Sequence, residues 1–182
     1  MLDEKRMNRV LEKLDTDQML ITDPCAIYYL TGRWIFAGER FLGLLIKKGQ
    51  KPILYLNELF RFDEDLGVTK KMITDTDSVA ELLKCDVDPN KALGVDKTLA
   101  ARFLLPMIDG AIASKFINGS LAVDHTRAIK DEEEIALLRE SSRINDLAMA
   151  EFKKLPKAGM TEIEIANQML DIYKKLGAEA YS

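Results

Sequence analysis

Apolar positions recur along this chain with two periods, and the switch between them marks out its parts. Between residues 17 and 123, short apolar runs at 18–22 (QMLIT), 41–46 (FLGLLI), 53–56 (ILYL), 92–95 (ALGV) and 111–116 (AIASKF) have the length of buried strands. A weaker strand falls at 71–74 and a further apolar run at 121–123. Helical spacing lies between them. Met7, Val10, Leu11 and Leu14 share one face over residues 3–14. Asp23-Pro24 starts a short helix, with proline where its missing N–H costs nothing, and Gly32 is placed to end it in a left-handed cap. Residues 78–83 form a helix capped by Asp77 or Ser78, and 97–105 a helix capped by Asp96 and ended by Pro106. Residues 57–67 leave room for one more short helix. The polar turn at 47–51 (KKGQK) predicts an antiparallel hairpin between its neighbours. Alternation broken by one hairpin predicts an α/β domain over residues 1–125, a mixed sheet with flanking helices.

The period then lengthens. Residues 126–155 carry Leu137, Ser141, Ile144, Ala148, Phe152 and Leu155 at spacings of three and four, with Leu138 and Met149 beside them and only Leu147 out of place. This predicts one long amphipathic helix. Asp131 and Glu134 form a capping-box pair, carboxylates crowd the positive end of the helix dipole, and Pro156 stops the ladder. Thr161 and Glu164 repeat the capping box ahead of a second helix that ends at Gly177. The apolar stripe of the first helix needs a cover: the second helix, the preceding domain or another copy of the chain. Residues 126–182 therefore read as a second, incomplete unit, and residues 178–182 close it with no partner strand.

Composition narrows the function classes. Hydrophobic content of 47% with 31% charged residues allows a real core, and a net charge of −4 without basic runs argues against nucleic-acid or acidic-membrane partners. No apolar run approaches the roughly 20 residues of a membrane span, and the charged start lacks a secretory pattern, so a cytoplasmic protein is expected. Cys25 and Cys85 match no metal spacing and are expected as free, buried thiols.

Candidate chemistry is sparse. There is no glycine-rich phosphate loop and no nucleophile elbow. A single histidine, His125, cannot supply a multi-histidine metal site. The acidic run at 131–134 suits a helix start, 63–65 a solvated loop, and Asp75 and Asp77 a turn and cap. Phe60, Phe62, Tyr28 and Tyr29 are expected in the core. The segment 32–43 resists such an account: Trp34, Ile35 and Phe36 are consecutive apolar residues set among Arg33, Glu39 and Arg40. Either folding buries them, or an aromatic loop with arginines faces a partner or covers a ligand site. Trp34, Phe36, Glu39 and Arg40 are the candidate residues for such an interface or ligand cover; no catalytic or metal-binding residue is assigned.

Taken together, ITDPCAIYYLTG at 21–32, GERFLGLLI at 38–46, PILYL at 52–56, TRAIKDEEEIALLRESSRINDLA at 126–148 and GMTEIEIANQM at 159–169 resemble the creatinase/aminopeptidase P/prolidase metallopeptidases. The resemblance implies a ribonuclease H-like N-terminal domain, a connector, and the first helices of a "pita-bread" catalytic domain. That domain would carry two divalent ions, manganese or cobalt, on two Asp, one His and two Glu, all expected downstream of Ser182, leaving this chain without a cofactor of its own. It also implies a homodimer whose N-terminal loops reach the partner's active site and limit substrate length, the loop here being residues 33–40. The parent activity so implied is hydrolysis of Xaa-Pro peptides. The competing reading is a free-standing, non-catalytic dimerisation or binding module.

Overall fold

Strand β1 (Gln18–Ile21) is buried along its whole length because it lies inside a six-stranded sheet of order β4-β3-β2-β1-β5-β6. The computed structural model describes residues 2–178 and divides into two units, Met1–Ile129 and Lys130–Ser182. In the first, β2 (Leu42–Lys47) and β3 (Ile53–Asn57) form the expected hairpin, and β2 also runs antiparallel to β1. The other pairings, β3 with β4 (Thr69–Ile73), β1 with β5 (Ala92–Val95) and β5 with β6 (Lys115–Asn118), are parallel.

Helices cover both faces, which is why the central strands read as unbroken apolar runs. Alternate residues point to opposite sides. Met19, Ile21, Leu44, Ile46, Leu54 and Leu56 pack with α1 (Glu4–Lys13), α2 (Pro24–Thr31) and α5 (Ser120–Ala128). Leu20, Leu45, Tyr55 and Leu93 pack with α3 (Val79–Lys84) and α4 (Ala101–Asp109). The predicted caps of α2 and α3 are present, Asp23 and Ser78 accepting from the backbone N–H of Cys25 and Glu81, and Asp3 caps α1 by accepting from the N–H of Arg6. Residues 57–67 hold one 3-10 turn, Glu58–Phe60.

Several expectations are corrected. Asp96 does not cap a helix. Its buried carboxylate accepts from the N–H of Thr22 and Asp23 and from the hydroxyls of Thr22 and Thr98, tying the ends of β1 and β5 together. The helix after it starts only at Ala101 and runs through Pro106, whose side of the helix is exposed, so water can serve the carbonyl that proline leaves without a donor. The strand placed at 111–116 begins at Lys115, after a turn in which Ala111 takes φ 46°. The apolar run at 121–123 belongs to α5, burying Ala122 and Val123 while Leu121 faces out; helical and strand periods cannot be told apart over three residues. A boundary at 125/126 would cut α5. Tyr28, Cys25 and Cys85 are exposed rather than buried; both thiols are free.

In the second unit, the long helix of 126–155 is shorter than predicted. Residues up to Ala128 complete α5, the backbone is extended at Ile129, and α6 (Glu132–Phe152) begins at the predicted Asp131/Glu134 capping box. The box is what sets the start, since both halves of the reciprocal bond are made. Helix α7 (Glu162–Lys175) carries the second box at Thr161 and Glu164. Ala148, Met169 and Tyr173 are buried between α6 and α7, flanked by Ile144, Phe152 and Ile172. The lower half of the stripe thus docks on α7. Leu137, Leu138 and Met149 stay exposed, as does Leu147. The expected unpaired close at 178–182 falls, beyond Ala178, outside the described residues.

Candidate functional site

All five mutually parallel strands end at one edge of the sheet, where β2 begins. The crevice outside strand carboxyl ends is the usual ligand position in α/β sheets. The candidate loop crosses this edge. Gly32 starts it with φ 70°, a left-handed cap whose N–H bonds the Tyr28 carbonyl at 2.7 Å. The next residues alternate out and in: Trp34 is 53% exposed, Ile35 5%, Phe36 76% and Ala37 6%. Folding therefore buries only Ile35 of the tripeptide and leaves both aromatic rings exposed. Ile35 and Ala37 pin the segment to the core, and the two aromatic rings are held out by that pinning.

Neighbouring groups fix the loop further. The Trp34 ring meets Tyr28 edge-on, centroids 6.0 Å apart. Arg33 lies over the Phe62 ring at 4.6 Å and pairs with Glu64 Oε2 at 2.9 Å. Arg40 makes a two-pronged bridge to Asp75, Nε to Oδ1 at 2.9 Å and Nη2 to Oδ2 at 3.0 Å. Buried Asn57, the last residue of β3, donates to the same Oδ1 at 2.7 Å. The Arg40 guanidinium, by hydrogen bond and then by charge, holds the Asp75 carboxyl below the usual carboxylate range, with Asn57 adding to it. Asp75 is thus not merely a turn residue. It joins the ends of β3 and β4 to the end of the loop.

Two clefts flank this clamp. One of about 350 Å³ lies over the ends of β3 and β4, bordered by Asn57, Thr74, Asp75 and Asp77. The other, about 220 Å³, lies over the end of β1 and is bordered by Thr22, Phe36 and Thr98. Glu39, Arg40, Phe41, Arg102 and Phe103 line both. Of the four candidates, Phe36, Glu39 and Arg40 converge on the smaller cleft, and Trp34 stands outside it. Sequence reasoning missed Asn57, Asp75 and Arg102 as parts of this edge. No local signal marks them, because Arg40 and Asp75 are 35 positions apart and meet only once the sheet forms.

A metal does not fit here. Among the described residues no group of three or more His, Cys, Asp or Glu side chains could hold an ion. Of the three acidic side chains that line the clefts, Asp75 is engaged by Arg40 and Asn57 and Asp77 by the N–H and hydroxyl of Thr74, which leaves Glu39, a single carboxylate. His125 is exposed in the last turn of α5. What the arrangement can do is present aromatic rings and charges at fixed positions. No described helix is long and apolar enough to cross a membrane.

Comparison with known proteins places this architecture. The family model described as the creatinase/prolidase N-terminal domain matches residues 5–129. An uncharacterized peptidase of Staphylococcus aureus strain USA300 is 26% identical over 183 aligned positions, covering 97% of this chain and 52% of the relative. The fold resembles the prolidase of Pyrococcus horikoshii OT3 (TM-score 0.78, 22% identity, 97% of this chain and 50% of that one). It also resembles an Xaa-Pro dipeptidase from Bacillus anthracis (TM-score 0.76, 23% identity, 97% and 50%). The chain spans about half the length of these proteins. With its mixed sheet, flanking helices and family match over residues 5–129, the chain belongs to the creatinase/prolidase N-terminal domain family.

Proposed function

We propose that this chain is the N-terminal portion of an Xaa-Pro dipeptidase-like metallopeptidase, and that it shapes the substrate site and builds a homodimer while the metal chemistry lies elsewhere. The single observation that carries the reading is the pinned loop at the carboxyl edge, where buried Ile35 and Ala37 hold the Trp34 and Phe36 rings exposed. Rigid aromatic side chains give contact area at small entropic cost, and they suit recognition of a prolyl ring and of a facing subunit. The half-length match to a peptidase and the likeness to proteins named prolidase and Xaa-Pro dipeptidase support it. Two free, exposed thiols support a reducing, cytoplasmic setting. In the whole enzyme, a pair of manganese or cobalt ions would supply an activated hydroxide. Nothing in the present site is assigned to them.

The test joins this chain to the catalytic half of the staphylococcal relative and compares Ala-Pro with longer peptides beginning Ala-Pro. Trp34→Ala and Arg40→Ala are expected to change the ratio of kcat/KM for short over long substrates by about tenfold, or ~1.4 kcal/mol. An unchanged rate and length preference in both variants contradicts the reading. The competing reading is a free-standing dimerisation or binding module of the same family. The coding sequence beyond Ser182 separates the two: continuation into clustered Asp, His and Glu codons supports the first, and a stop codon the second.

A further inference from the structure

The smaller carboxyl-edge cleft is lined by two side chains of opposite charge that form no salt bridge among the described residues. Arg40 is taken up by Asp75, but Glu39 and Arg102, which line the same cleft, have no ion-pair partner among the described residues. They do not pair with each other either, so more than 4.0 Å separates their charged atoms. Arg102 is held by stacking, its guanidinium 4.7 Å from the Phe103 ring centroid, which leaves its N–H fork open. At the strand end, the hydroxyls of Thr22 and Thr98 both donate to Asp96 Oδ1, at 2.7 and 2.8 Å. Their protons committed, these oxygens have lone pairs left to accept with. The cleft therefore offers acceptors and a carboxylate together with an open cationic fork.

We propose that this cleft binds a small zwitterion, a free amino acid or a dipeptide, its ammonium at Glu39 and the Thr22 and Thr98 hydroxyls and its carboxylate at Arg102. Apolar Phe41 and Phe103, ring centroids 5.1 Å apart and edge-on, wall the space for the ligand's carbon skeleton. The proposal does not rest on the chain working with a catalytic half, since every group it uses belongs to the first unit.

Calorimetric titration of the isolated chain tests it, with L-proline and L-alanyl-L-proline as probes and their N-acetyl and amide forms as controls. Saturable binding is expected for at least one probe, and Glu39→Gln and Arg102→Gln should each weaken it by about tenfold or more. Blocking either charge of the probe should do the same. Binding of proline itself identifies a free amino acid as the source of the ligand; binding of the dipeptide alone identifies a short peptide. Both side chains are exposed, so the variants should fold, and an unchanged emission spectrum from the sole tryptophan, Trp34, checks that they do. No saturable heat from either probe up to about 10 mM overturns the proposal. So do equal affinity for the charge-blocked forms and wild-type binding by both variants.

Discussion

Single residues at the sheet show how this fold uses polar groups. Tyr55 is fully buried in β3 and donates its hydroxyl to Asp86, which Lys71 Nζ also reaches at 2.6 Å. Burial, followed by the Asp86 hydrogen bond and charge, pushes the Tyr55 phenol well above its usual range. Burial works against the Asp86 charge, yet the hydrogen bonds from Lys71 and Tyr55 and the attraction of Lys71 and Lys47 hold its carboxyl below the usual range. A carboxyl depressed on folding stabilises fully above its unfolded value and loses that contribution as pH falls through the folded one. Asp86→Ala should therefore cost about 1–3 kcal/mol near neutrality, by leaving a buried hydroxyl without its acceptor. Urea midpoints measured from pH 7 downward should show the gap to wild type narrowing below about pH 4. A gap constant with pH would mean the carboxylate's charge contributes nothing. Gly43 makes a second case: a Cβ there would stand 2.8 Å from the Phe41 ring and 3.0 Å from Leu20 Cδ1. Gly43→Ala must displace the ring that walls both clefts, at a cost of about 1–3 kcal/mol measurable by thermal unfolding. Neither Asp86 nor Gly43 announces its role locally.

At the scale of elements, most of the fold is legible because local rules and tertiary demands agree. The caps of α2, α3, α6 and α7, the β2–β3 hairpin and the apolar runs of β1 and β5 all follow from short stretches read on their own. The failures share a cause. Asp96 is a plausible cap by position, but the end of β1 offers it more donors, and α4 starts five residues later at Ala101. Helix α5 hides behind too few apolar residues to show a period. The split between α5 and α6 falls at Ile129, where an extended backbone and the Asp131 box divide the single helix expected over 126–155. That box has a measurable worth. Asp131→Ala should lower the stability of the first turn of α6 by about 1 kcal/mol, seen as faster amide exchange at residues 133–135. Tyr173→Phe, which removes a 2.6 Å bond to Asn145 between α6 and α7, should cost the helix pair about as much. Exchange unchanged in both variants would mean the pair is held by Ala148, Met169 and their neighbours alone.

For the whole molecule, the family was readable from the order of several weak motifs, whereas the edge site was not. The loop's Trp34, Phe36, Glu39 and Arg40 were visible as an oddity of composition, but the Asp75 clamp and the Arg102 wall depend on segments brought together only by the parallel sheet. The proposed division of labour is the central claim: this chain supplies fixed aromatic and charged surfaces, and a metal-activated nucleophile would lie outside it. Release of proline from Ala-Pro by the pure chain, in the presence of manganese or cobalt, tests that claim most directly. The prediction is no release above the buffer control at any metal concentration; sustained, metal-dependent release by the chain alone would contradict it.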